Sequence, residues 1–129
     1  HIGAKLPAYA TSMGRVLLAA MPQEHLDIFL AEAPFEALTP YTLTEASQLR
    51  EEVDKVRQQG YAINDQQLEL GLRSVAVPVF DRHHNVRFAL NVSTHVSKVS
   101  KEKLIAEFVP LLEETAKKNH GIAAVIVQL

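Results

Sequence analysis

Two β-rich runs, Arg73 to Phe80 and Val86 to Thr94, flank the polar segment Asp81-Arg82-His83-His84-Asn85. No other feature of the chain restricts its fold so strongly. Branched and aromatic side chains suit a pleated surface, and Asp and Asn suit a tight turn. The two runs are therefore expected to pair as an antiparallel hairpin. With Arg82 to Asn85 as a four-residue loop, Ser74 lies opposite Ser93, Ala76 opposite Asn91 and Pro78 opposite Ala89. Side chains alternate along a strand, so these six share one face. Val75, Val77, Val79, Phe88, Leu90 and Val92 take the other face, which is apolar enough to be core. The first face is small and lightly polar, as the floor of a small-molecule pocket would be. A slip of one residue would exchange the faces. Pro78 has no N–H and predicts an edge or a bulge at its position.

Helical signals surround the hairpin. Thr11 or Ser12 can cap a first helix to about Met21, with Val16, Leu17, Leu18 and Ala20 on its apolar side. Pro22 suits the first position of a short helix through Leu26, Phe29 and Leu30. Pro34 to Pro40 reads as a connector. Ala46, Leu49, Val53 and Val56 then repeat at helical spacing, with Thr42 and Glu45 as a capping box, Thr44 as an alternative cap and Gly60 as a left-handed C-cap. Tyr61 to Ile63 begins a strand. After Ser97 a long amphipathic helix is expected, capped by Ser100, with Leu104, Ile105, Phe108, Leu111, Leu112 and Thr115 inside. Pro110 should kink or divide it. His120-Gly121 ends it, and Ile122 to Leu129 can form a terminal strand. Helices mixed with an antiparallel hairpin predict an α+β fold, an antiparallel sheet with helices packed on it.

Composition removes several function classes. A chain of 129 residues fits one domain. Its formal net charge of −2 gives no electrostatic footprint for nucleic acid. There is no cysteine, hence no disulfide or thiolate metal site. No apolar run is long enough to span a bilayer and no leader-like start is present, so a cytoplasmic location is expected. The chain opens at His1-Ile2-Gly3 without methionine, which suggests a fragment or a processed product.

Three constellations could carry chemistry. Thr11-Ser12-Met13-Gly14 opens a helix, where N–H groups and the dipole attract a carboxylate, although a plain N-cap explains the same residues. Ala10-Thr11-Ser12-Met13-Gly14 is also a near miss to a nucleophile elbow, with Asp65 or Asp81 and His95 or His120 downstream, so a small serine hydrolase using Ser12 is the rival function. Against it, Ala10 replaces the first glycine and no apolar strand leads in. His83 and His84 are the one histidine cluster, and adjacent side chains at a turn tip diverge, so no metal site is expected. No glycine loop could cradle a phosphate, and no cofactor is expected. Arg15, Arg73 and Arg87 are candidates for reading an acid, because a guanidinium pairs bidentately with a carboxylate. The bland alternative for Arg15 is a solvent-facing side chain or a pair with a neighbouring Glu.

Five motifs in order, Leu6-Pro7 with Ala10-Thr11-Ser12-Met13-Gly14-Arg15-Val16-Leu17-Leu18-Ala19, the threonine-rich Leu38 to Thr44, Gly60-Tyr61-Ala62, Gly71 to Pro78, and Ala89-Leu90-Asn91-Val92-Ser93, resemble the effector-binding domain of IclR-type bacterial transcription regulators. The likeness runs from Gly3 to about Lys118 and is strongest to the branch controlling the β-ketoadipate pathway of aromatic acid breakdown. It implies a GAF- or profilin-like effector-binding domain over residues 1–129, no enzymatic activity, a homodimer or homotetramer, and DNA contact only through an N-terminal winged-helix domain not in this chain. By position it implies a ligand held by Thr11, Ser12, Met13, Arg15, Asn64, Ser74, Asn91 and Ser93. The family's usual acidic residue falls on Asn64, the following acidic pair on Gln66-Gln67, and a frequent cysteine on Ser74. A pocket with less negative charge favours an anion, because buried like charges repel. The implied effector is a small aromatic or dicarboxylic acid: protocatechuate, 4-hydroxybenzoate or β-ketoadipate.

Overall fold

The computed structural model describes residues 7–118 and the backbone of residues 126–128. A 3-10 turn, Ala8–Ala10, leads into α1 (Ser12–Ala20), α2 (Gln23–Leu30) and α3 (Ala46–Gln59). Strands β1 (Ala62–Asp65), β2 (Leu72–Phe80) and β3 (Val86–His95) follow, then α4 (Lys101–Lys103), a π-helical segment (Leu104–Phe108), α5 (Val109–Lys118) and β4 (Ile126–Gln128). The sheet order is β1-β2-β3-β4. The first three strands are antiparallel, and β4 runs parallel to β3 with Asn91 opposite Ile126. The fold is α+β, and a strand forms within the expected terminal segment. The expected helix end at His120-Gly121 lies outside the described residues.

The hairpin pairs in the expected register: Ser74 with Ser93, Ala76 with Asn91, Pro78 with Ala89. Its far end differs. Val79 pairs with Phe88 but Phe80 pairs with Val86, so Arg87 is an extra residue and the connection has five residues, Asp81 to Asn85. Asp81 explains the longer loop: its Oδ1 accepts from His83 N at 2.8 Å and from Asn85 N at 3.0 Å. The bulge falls next to Pro78. Moreover, β1 stops pairing at Ala62, opposite Ala76, so among the described residues β2 has no strand partner on that side at Pro78.

Both faces of the sheet are covered. Val75, Val77, Val79, Leu90 and Val92 pack against Leu104, Val109, Leu112 and Ala116. Each Val or Leu among them stabilises by roughly 1.5–3 kcal/mol on burial. Leu111, expected inside, is 56% exposed. Widening the helix at Leu104–Phe108 relieves the clash that the Pro110 ring would make with the preceding turn. The extra residue rotates α5, so that Val109, Leu112 and Ala116 become its buried face.

On the other face Val16 of α1 and Val56 of α3 meet Ala62, Ala76 and Ala89. The face read as a pocket floor is thus half occupied by a helix, which its alanines admit at close range. Its polar half, Ser74, Asn91 and Ser93, lies toward the start of α1. A third cluster joins Leu18, Leu26, Leu30, Leu49 and Val53, with Phe35 stacked on Tyr9 and Phe29. The cap of α3 is Glu45, reciprocated by Gln48, in place of Thr42 or Thr44. Thr42 is engaged elsewhere: its hydroxyl donates to Gln67 O at 2.6 Å. Gly60 closes α3 at φ 85°, as expected.

Candidate functional site

The entrance to α1 is fixed by local rules. Pro7 sets an extended approach, Ala10 N reaches back to Pro7 O, and Thr11 at φ −123° and ψ 148° is the N-cap, its hydroxyl accepting from Gly14 N at 3.0 Å. Such a cap contributes about 1 kcal/mol. Gly14 is required by packing, since a Cβ there would fall 2.4 Å from Ala8 Cα. Ser12 and Met13 are then the first two helical residues, and the geometry of any helix leaves their N–H groups without an acceptor four residues back. The dipole adds partial positive charge at this end.

Ser12 Oγ meets Ser74 Oγ at 2.8 Å, both buried. One hydrogen bond between two hydroxyls uses one O–H, so the pair retains a second O–H to donate. Beside it, Asn64 pairs with Ser74 across β1 and β2, and Ser74 with Ser93 across β2 and β3. Asn91 Nδ2 donates to Ser93 Oγ at 3.3 Å. Asn91 Oδ1 is buried with no partner. An unsatisfied buried acceptor costs roughly 1–3 kcal/mol, and that cost is removed by any ligand bringing a donor. Six of the eight sequence candidates, Thr11, Ser12, Asn64, Ser74, Asn91 and Ser93, thus form one polar cluster at the α1 entrance. Met13 packs beside it on the apolar cluster of Val16.

Arg15 belongs to the neighbourhood in a different way. It is fully buried, so it does not face solvent, and its hydrogen-bond acceptors are two main-chain carbonyls and an amide oxygen, with no Glu among them. Its Nη2 and Nε donate to Tyr9 O at 3.0 and 3.3 Å, Nη1 donates to Ile63 O at 3.3 Å, and Nη2 also donates to Gln67 Oε1. Burial lowers its pKa to about 10, with Glu52 acting in the opposite sense. These bonds tie the α1 entrance to β1, and Asn64 does the same: its Nδ2 donates to Ala10 O while its Oδ1 accepts from Gln67 N at 3.0 Å. The Gln66-Gln67 turn is held in turn by Thr39, donating to Gln66 O at 2.6 Å, and by Thr42. Sequence reasoning missed Thr39, Thr42 and Gln67 as supports. The threonine-rich segment was visible, but its partners lie 25 and 27 residues away.

The remaining candidates lie elsewhere. Arg73 pairs with Asp65 at 3.0 Å and donates to Val99 O at 2.8 Å. Arg87 is the bulge residue at the exposed hairpin end, 3.9 Å from Asp81. Among the described residues a nucleophilic Ser12 has no relay: its partner is a serine, Asp65 and Asp81 have the roles just given, and His95 Nδ1 is bonded to Ser97 at 2.7 Å. His120 lies outside the described residues. No metal-binding group of His, Cys, Asp or Glu exists among the described residues, and among them no helix is long and apolar enough to cross a membrane. A cavity of about 290 Å³ opens on the α5 side, beside Val77, Pro78 and Phe80. Among the described residues it offers a ligand no buried, unsatisfied group, which makes the polar cluster the candidate site.

The fold, with a serine that is hydrogen-bonded to a second serine and has no base beside it among the described residues, is that of a ligand-binding domain. The chain belongs to the family described as bacterial transcriptional regulator IclR C-terminal, which matches residues 1–120. It is similar to the Pca regulon regulatory protein of Pseudomonas putida, 48% identical over 111 residues that cover 86% of this chain and 38% of that protein. The p-hydroxybenzoate hydroxylase transcriptional activator of Acinetobacter baylyi is 37% identical over 122 residues, 95% of this chain and 45% of that protein. The chain therefore spans less than half the length of these relatives. Among solved structures, the inducer-binding domain of the PobR transcription factor from Acinetobacter, a double mutant in complex with 3-hydroxybenzoic acid, superposes with a TM-score of 0.85 at 36% identity, covering 92% of this chain and 67% of that one. The IclR protein of Thermotoga maritima gives 0.82 at 31% identity, over 92% of this chain and 47% of that one. These relatives are named as regulators, and none of these names is that of an enzyme.

Proposed function

We propose that the chain is the effector-sensing domain of a transcription regulator of aromatic acid catabolism and that it binds a hydroxybenzoate-type acid at the α1 entrance. The unsatisfied Asn91 Oδ1 carries this reading. It needs a donor, whereas the Ser12 and Met13 N–H groups and the spare hydroxyl of the Ser12–Ser74 pair need an acceptor. A hydroxybenzoate supplies both, a phenol O–H at one end and a carboxylate at the other. β-Ketoadipate, ionised at both ends, has no comparable donor. Thus 4-hydroxybenzoate and protocatechuate are favoured over the diacid, in keeping with the 3-hydroxybenzoic acid complex of the Acinetobacter relative.

Titration calorimetry with the three acids tests the proposal. Saturable binding of a hydroxybenzoate, stronger than that of β-ketoadipate, is expected, and absence of binding by all three overturns it. In the cytoplasmic regulator so proposed, DNA would be contacted by a separate winged-helix domain. Assembly is part of the same reading. Ile28, Leu70, Tyr41 and Leu111 are each more than half exposed, and apolar surface of this kind favours association into a homodimer or homotetramer. Sedimentation velocity showing only monomer at high concentration would remove that part.

A further inference from the structure

The geometry points to Arg15 as the buried counter-charge of the site, a positioning and selectivity residue that makes the domain prefer a carboxylate over its neutral analogue without touching the ligand. This inference rests on the functional reading above and adds what sets its charge selectivity.

Arg15 is in the first turn of α1, three residues after Ser12. Its guanidinium sits between Tyr9 O, two residues before the Thr11 cap, and Ile63 O, next to Asn64. Asn64 is the cross-strand partner of Ser74, which holds Ser12. The charge is therefore held by the two segments that carry Thr11 and Asn64 of the cluster. Nothing close neutralises it: among the described residues no carboxylate is within 4.0 Å of Arg15, and its acceptors are two main-chain carbonyls and the amide oxygen of Gln67. The acid whose field reaches it, Glu52 on α3, is 3.5 Å from Lys55 and partly exposed. Asp65, the acid nearest in sequence on β1, is taken by Arg73 at 3.0 Å.

A buried cation with neutral partners leaves its surroundings electropositive, and the positive end of the α1 dipole adds to it. An anionic ligand at Ser12 and Met13 answers both. Gln67 is the residue at which the balance is set. A carboxylate there would keep the hydrogen bond to Arg15 and supply the missing counter-ion from within the protein, so the ligand's charge would gain less.

Gln67→Glu tests this directly, because it is nearly isosteric and strengthens an existing bond. The probes are 4-hydroxybenzoate against 4-hydroxybenzamide and protocatechuate against 3,4-dihydroxybenzamide, titrated into the native chain and the variant. The native chain should favour each acid over its amide by about tenfold or more, as a unit charge at short range in the interior provides. Gln67→Glu should lose most of that ratio through weaker acid binding, with amide binding held and the melting temperature equal or higher. An unchanged ratio overturns the inference while the functional reading stands. No binding of either acid to the native chain overturns both.

Discussion

Ser12 Oγ and Ser74 Oγ, 62 residues apart in the chain, share a 2.8 Å hydrogen bond that joins the first residue of α1 to β2. Placing a carboxylate at this contact should exclude an anionic ligand by like charge, while a helix start still accommodates it. Ser12→Asp is therefore expected to abolish calorimetric binding of 4-hydroxybenzoate and to retain the circular dichroism of the folded chain. Unchanged affinity would take Ser12 out of the site.

Neighbouring residues of β3 should separate binding from stability. Leu90 is 2% exposed within the α5-side core, and Leu90→Ala should cost roughly 2–5 kcal/mol in urea denaturation. Asn91 points to the opposite face and carries an unsatisfied acceptor. Asn91→Ala should leave the free protein equally stable or slightly more so, yet weaken hydroxybenzoate binding about tenfold. The reverse pattern would show that the site lies on the other side of the sheet.

Gly14→Ala ought to stabilise an isolated helix by about 1 kcal/mol. Here the new methyl group would fall 2.4 Å from Ala8 Cα and 2.5 Å from Ala8 O, both main-chain atoms. Net destabilisation of about 1–3 kcal/mol is expected, together with weaker ligand binding as the 3-10 turn is pushed off α1. A variant with a raised denaturation midpoint would contradict the close approach.

The hairpin turn should respond to acid. Asp81 is held below the ordinary carboxylate range chiefly by the hydrogen bond from Asn85 N, which burial opposes and the bond from His83 N reinforces. Since the folded pKa is the lower one, the turn's contribution is complete above the unfolded value and fades as pH falls through the folded value. Amide resonances of His83 and Asn85 should therefore titrate together, with a midpoint below that of an unperturbed Asp. Asp81→Asn should remove this transition, and a midpoint at or above the ordinary value would refute the turn geometry.

The strand register was legible because alternation and a short polar turn leave few pairings that bury Val75, Val77 and Leu90 together. The Thr11 and Ser100 caps and the Gly60 stop were legible because helix ends obey local rules. What stayed hidden depended on distant partners. Thr42 could not be recognised as a tie to Gln67, nor Arg15 as a group turned toward Tyr9 O and Ile63 O, because sequence spacing carries no record of which carbonyls fold against a side chain. Pro110 announced a break but not its form: a widened turn that preserves the helix and rotates Leu111 outward is one solution among several to the same steric conflict.

Pro78 also bears on the protein's solubility. Beyond Ala76 the second strand runs on past the end of β1, leaving a short stretch of open sheet edge. A proline is tolerated in a strand where the place of its missing N–H faces no neighbour, which makes Pro78 a gap in the row of donors that another molecule's strand would need. The residue that the hairpin carries at some cost to its regularity thus serves as a guard against edge-to-edge aggregation.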